Sequence, residues 1–157
     1  MTSYLVPAIM GAIGGILSWA STNFLGNPLI QFYQLRDEIH SALVLYANVS
    51  PVYESSDLGR SPKDHPDWER FVEAYGKLRE LASQLHALAA NHPYIRRALS
   101  CKGYELETAA SDLRGFANTM GKPVARSNGE LAWHRDRIER SLRFPLSYPN
   151  GVKIRDE

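Results

Sequence analysis

Apolar positions along this chain fall into one unbroken run and several spaced stripes. Residues 4–25 read YLVPAIMGAIGGILSWASTNFL, without a charged side chain. As a helix rising ~1.5 Å per residue, this run matches a hydrocarbon core of about 30 Å, with every backbone polar group bonded internally. Tyr4 near one end and Trp19 with Phe24 near the other have the placement of interfacial aromatic anchors, and Pro7 sits early enough to cost little. A secretory leader would begin with Lys or Arg, which Met1-Thr2-Ser3 does not supply. The expectation is a single N-terminal transmembrane helix in residues 1–27.

Periodic stripes follow. Gly26-Asn27-Pro28 is expected to interrupt the chain, with Asn27 as N-cap and Pro28 in the first turn of a juxtamembrane amphipathic helix over 28–49. Its stripe is Leu29, Phe32, Ile39, Leu43 and Tyr46. Residues 50–65 hold Pro51, Gly59 and Pro62 and read as a linker. A long stripe then runs through Trp68, Phe71, Val72, Tyr75, Leu78, Ala82, Leu85 and Ala89, ending at Asn91-His92-Pro93 because the residue before proline avoids helical angles. Another starts at Pro93 and continues to Met120, with Gly103 as a bend or break and Gly121 and Pro123 closing it. Ser127-Asn128-Gly129-Glu130 has the form of a capping box for a last helix to about Arg143, supported by Glu130–His134, Asp136–Arg140 and Glu139–Arg143 at four-residue spacing. The tail, 144–157, reads as turn and extended chain. No segment alternates as a strand does. The fold class expected is therefore all-α: a transmembrane helix followed by a cytoplasmic helical bundle over 66–143.

Charge sharpens the division. All 18 Lys/Arg and 17 Asp/Glu lie at or after Arg36, and the net charge of +1 supplies no global field for nucleic acid. Positive charge on the C-terminal side of the apolar run predicts a single-pass protein of the inner (plasma) membrane with its bundle in the cytoplasm. Asn48-Val49-Ser50 matches a glycosylation triplet, which matters only in a secretory lumen. The lone Cys101 allows no internal disulfide.

Candidate chemistry is sparse. Ala8, Gly11, Ala12, Gly14, Gly15 and Ser18 place small residues at four-residue spacing, including a GxxxG, which lets helix backbones approach closely in lipid and predicts a homo-oligomer. Arg36, Asp37 and His40 would ring the entrance if copies packed about an axis. Arg135, Arg137, Arg140 and Arg143 lie in a segment whose basic residues exceed its acids, an arrangement suited to anionic headgroups, RNA or phosphate, or to a solvated face of ion pairs. His40, His65, His86, His92 and His134 are never three or four apart, so no metal site and no cofactor are expected. No Walker A, dinucleotide fingerprint or nucleophile elbow occurs.

Arg60 to His65 (RSPKDH) resembles the Arg-x-x-x-x-His motif of HEPN domains, all-helical and often RNases. The resemblance covers six residues. It implies an arginine stabilising phosphate and a histidine transferring a proton, and it departs from the family pattern in Pro62, Pro66 and the serine after Arg60. The overall layout resembles small helical membrane effectors of bacterial defence systems. The expected function is a membrane-anchored, self-associating protein acting by assembly, as scaffold, sensor or small pore. The alternatives are a membrane-tethered enzyme of HEPN type and an adapter docking a protein partner to the bilayer.

Overall fold

The computed structural model describes residues 5–47, 49, 67–120 and 124–147, and these are all-helical. In chain order they are α1 (Leu5–Ser21), a π-helical turn (Thr22–Gly26), α2 (Asn27–Leu45), α3 (Trp68–Asn91), α4 (Pro93–Cys101), α5 (Leu106–Met120) and α6 (Val124–Ser141). Residues 50–66, and with them the expected linker and Arg60 and His65, lie outside the described residues, as does the tail from 148.

Four helices, α2, α3, α5 and α6, pack as an antiparallel bundle. α2 and α3 run in opposite directions, since Tyr46 donates to Glu73 and Lys77 to Glu38. α5 and α6 do too, since Asp112 meets Arg137 and Thr119 meets Glu130. α3 and α5 form the centre, burying Leu78, Leu81, Leu85, Leu113 and Met120. Each such side chain contributes ~1.5–3 kcal/mol relative to exposure. α2 adds Phe32, Leu35, Ile39, Ala42 and Leu43, so it is one of the bundle's own helices. The sequence stripe of α3 holds except at Val72, which is exposed.

Three expectations change. First, Gly26-Asn27-Pro28 does not start a new helix: Gly26 and Asn27 both have right-handed helical angles and the backbone runs on from α1 into α2. The chain accommodates Pro28 by widening. Proline lacks an N–H and its ring crowds the carbonyl four residues back, and a π turn relieves both, with the Asn27 N–H donating to Thr22 O. Second, α6 begins at Val124, so residues 127–130 lie within the helix and cannot be its cap; Glu130 instead accepts from the Thr119 hydroxyl at 3.4 Å. Third, no helix among the described residues is long and apolar enough to cross a membrane. The 17 residues of α1 cover only about 25 Å at ~1.5 Å each.

Candidate functional site

α1 departs from the logic of the rest of the fold. Every side chain described in it from Met10 to Trp19 is exposed, and so are those of Ser21 to Leu25. Met10, Ile16, Leu17 and Trp19 each leave more than half their surface open. Among the described residues the arm does not pack substantially on any helix of the bundle; its main neighbour is the π turn that follows it. Within the turn, polar groups bond back to the preceding turn: the Thr22 hydroxyl to Ser18 O at 3.0 Å and the Asn23 amide to Trp19 O at 2.9 Å. Such back-bonding satisfies polar side chains without water.

At ~100° per residue, Gly11, Gly14, Gly15, Ser18 and Thr22 fall on one face of the arm, and Met10, Ile13, Ile16, Leu17 and Phe24 on the other. A Cβ added at Gly11, Gly14 or Gly15 would meet nothing within 4 Å. Ala12 is exposed beside them, and Ala8 lies in α1. The small-residue face is thus open along the arm.

Where the arm joins the bundle, two helix ends interlock. α4 terminates in a Schellman motif, with Gly103 at φ +82°, Tyr104 N–H donating to Leu99 O and Gly103 N–H to Ser100 O. α6 ends in the same way, but Arg143 occupies the left-handed position at φ 54°, with Phe144 N–H donating to Glu139 O and Arg143 N–H to Arg140 O. A non-glycine residue there costs ~1–2 kcal/mol. Arg143 offsets it through contacts glycine would lack: its guanidinium donates to Lys102 O at 2.5 Å and lies by the Tyr104 ring.

Arg36 completes this knot. Its Nε donates to Leu142 O and its Nη2 to Arg143 O, both at 2.9 Å, while its guanidinium stacks on Phe144. His40 packs against the same ring with centroids 4.8 Å apart. Of the residues expected to ring an entrance, Arg36 and His40 therefore converge on Phe144, while Asp37 stays exposed, 3.5 Å from Arg36 Nη1.

The four arginines of the basic segment are each engaged within the chain. Arg135 pairs with Glu139 and Arg140 with Asp136, each at 2.9 Å; Arg137 pairs with Asp112 at 2.8 Å; Arg143 binds Lys102 O. The expected Asp136–Arg140 pair is present. Glu139 takes Arg135 instead of Arg143 and also accepts from the Ser147 N–H and hydroxyl. His134 meets Asp112, with Nδ1 3.1 Å from Oδ1.

Asp112 is thus a buried carboxylate between Arg137 and His134, and Arg137 stacks on Trp133. Gly115 makes room for the imidazole, since a Cβ there would lie 2.7 Å from Nε2 and 2.9 Å from Nδ1. Periodicity missed this cluster because Asp112 and Gly115 fall between the apolar positions of α5, while the side chains they meet lie on another helix. A carboxylate orienting an imidazole is one part of a proton-transfer site, but Nε2 faces no hydroxyl or thiol hydrogen-bond partner among the described residues. Asp136 Oδ1 is buried without a hydrogen-bond partner among them. No three His, Cys, Asp or Glu residues among them are grouped to hold a metal ion. A cleft of about 760 Å³ beside α4 is lined by Tyr94, Arg97, Cys101 and Tyr104 among others, with the Arg96–Glu107 pair on its wall.

No family model matches the chain, and no curated protein or solved structure matches it either. The functional reading rests on the residues themselves.

Proposed function

We propose that this chain is a membrane-anchored helical protein that acts through assembly of its copies, as a scaffold, sensor or small pore-forming effector. The carrying observation is the arm: a helix of apolar side chains, exposed throughout its described length, without a covering partner among the described residues. Exposed apolar area of this extent marks a surface used by lipid or protein. Although α1 alone is short, helical backbone continues through the π turn, and the uncharged stretch from Leu5 to Gly26 measures about 30 Å. The bulky face suits lipid chains. The small face, with Ser18 and Thr22 among glycines, suits close approach of a second arm. On this reading the protein is single-pass in the inner membrane, with the bundle on the cytoplasmic side where Arg36 and the later charges lie.

Light scattering of the full-length protein in detergent, corrected for bound detergent, tests assembly. The wild type should be a defined multimer, and Gly11→Leu with Gly15→Leu should reduce it to monomers with helicity intact, because added side chains separate the backbones by several ångströms. A wild-type monomer removes the reading. The tethered-nuclease alternative depends on Arg60 and His65 and would gain ground only if Arg60→Ala or His65→Ala abolished RNA cleavage by a folded protein.

A further inference from the structure

The end of the bundle from which the arm leaves carries a face whose charge and shape suit a bilayer surface. Helix directions place α4, the turn at Lys102–Tyr104 and the end of α6 there. Phe32, in the second turn of α2, packs edge-on against Tyr104 at 5.1 Å, and Arg36 one turn further reaches Leu142 and Arg143. Phe32 lies six residues past Gly26, or ~9 Å along the helix, so this collar stands about one headgroup layer from the foot of the arm.

α4 is amphipathic. Ile95 and Leu99 are buried, whereas Tyr94, Arg97, Ala98 and Cys101 recur at three- and four-residue spacing on the opposite face, all exposed. Tyr94 is 72% exposed, the largest value among the large apolar and aromatic side chains described in the bundle. Neither Arg97 nor Lys102 has a carboxylate partner among the described residues, and Arg143, also exposed, bonds only to a carbonyl. Acids are present but weaker here: Glu107 is taken by Arg96, Asp37 lies by Arg36, and Glu105 is exposed. The arginines further along α6 are neutralised by Asp112, Asp136 and Glu139. Arg97, Lys102 and Arg143 thus lie at the arm end without carboxylate partners, beside an exposed tyrosine, whereas Arg70, Arg79 and Arg114, likewise without one among the described residues, are spread along α3 and α5.

We infer that Arg97, Lys102 and Arg143, with Tyr94, form a collar that docks the bundle onto anionic phospholipid headgroups, holding α4 flat against the bilayer. The inference rests on the membrane reading above and extends it by naming the lipid class and the side chains that meet it. Basic side chains near a negatively charged surface are attracted to its phosphates, and a tyrosine ring settles at headgroup depth. Docking would fix the bundle's tilt relative to the arm, using the π turn as the joint.

The single cysteine makes the test direct, because Cys101 lies on this face and is exposed. Full-length protein, labelled at Cys101 with a fluorophore, is reconstituted into vesicles of phosphatidylcholine alone or with one third phosphatidylglycerol. Both sets contain a trace of lipid carrying a headgroup quencher. Carbonate-resistant flotation with either vesicle reports the arm; quenching at Cys101 reports the collar. Quenching should be strong in the anionic vesicles and weak in the neutral ones. Replacing Arg97→Gln and Lys102→Gln should lower the docked-to-undocked ratio by roughly twenty-five-fold, about five-fold per cation, while flotation is unchanged. Equal quenching in the two lipids, or no change in the variant, overturns the collar and leaves the anchor standing. Failure to float with either vesicle overturns the anchor and the collar together.

Discussion

The arm and the α5–α6 seam invert the usual distribution of side chains in opposite ways. In the arm, isoleucine, leucine, methionine and tryptophan stand outside with none of the described residues covering them. In the seam, Asp112, Asp136 and Glu139 are buried, each meeting an arginine on α6. Buried charge is costly unless paired, and the seam supplies its pairs internally. Exposed apolar area is costly in water unless covered, and the arm supplies no cover. A region that solves its problem within the chain is structural; one that leaves it open points to something outside.

The largest effect should come from placing charge on the arm. Ile13→Lys with Leu17→Lys costs ~3 kcal/mol for each lysine in a bilayer but removes no packing from the bundle. The expected outcome is loss of the protein from the membrane fraction with the melting temperature of the bundle unchanged. A large fall in melting temperature would mean that the arm is part of the core after all. The seam should respond in the opposite sense. Asp112→Ala leaves Arg137 and His134 without their shared acceptor and should cost about 2–3 kcal/mol in urea unfolding, discounted because Arg137 is partly exposed, with membrane association untouched.

A smaller change sharpens the same contrast. Gly115→Ala forces its methyl into the His134 ring and should destabilise the protein by about 1–3 kcal/mol, whereas alanine at Gly14, where the space is open, should be nearly neutral for the bundle. The two substitutions are compared by thermal melts of the detergent-solubilised protein.

Smallest is a pH effect at the far end of the bundle. Burial, and then the hydrogen bond to Glu73, raise the Tyr46 pKa above its ordinary value near 10.0. Lys77 is raised as well, chiefly by its hydrogen bond to Glu38. Both folded-state pKa values exceed the unfolded ones, so their stabilisation is complete below about pH 10 and is lost as pH rises through the folded values. Tyr46→Phe should make the loss of stability above about pH 10 shallower, as read by urea midpoints across that range. An unchanged slope would exclude Tyr46 as its source.

The helices of the bundle were legible because burial imposes a period on the sequence. The stripe from Phe71 to Ala89, the stop at His92-Pro93 and the break at Gly103 correspond to α3, the start of α4 and the cap between α4 and α5. Those features depend on each residue's own backbone limits or on a face repeated every turn, and both are local. Residues whose roles depend on a partner far along the chain were not legible. Arg36 is a charged residue in one helix until the fold brings it to carbonyl oxygens more than a hundred positions away. Asp112 is one polar residue between the apolar positions of α5 until α6 presents His134 and Arg137. Four-residue spacing paired Glu139 with Arg143, but the αL turn at Arg143 carries that side chain away to Lys102, and Glu139 takes Arg135 instead.

The start of α6 shows the same limit, since a capping box specifies a helix end only if the chain before it is not already helical. Sequence alone determined an all-helical chain with an uncharged apolar segment before the first charge at Arg36. Tertiary structure decided that the described part of this segment up to Gly26 stands apart from the bundle, that α2 belongs to the core, and that Arg97, Lys102 and Arg143 lie where the arm emerges. Composition can state that a side chain is apolar or charged, but whether it is covered or neutralised is a property of its neighbours, and only the packed fold supplies those.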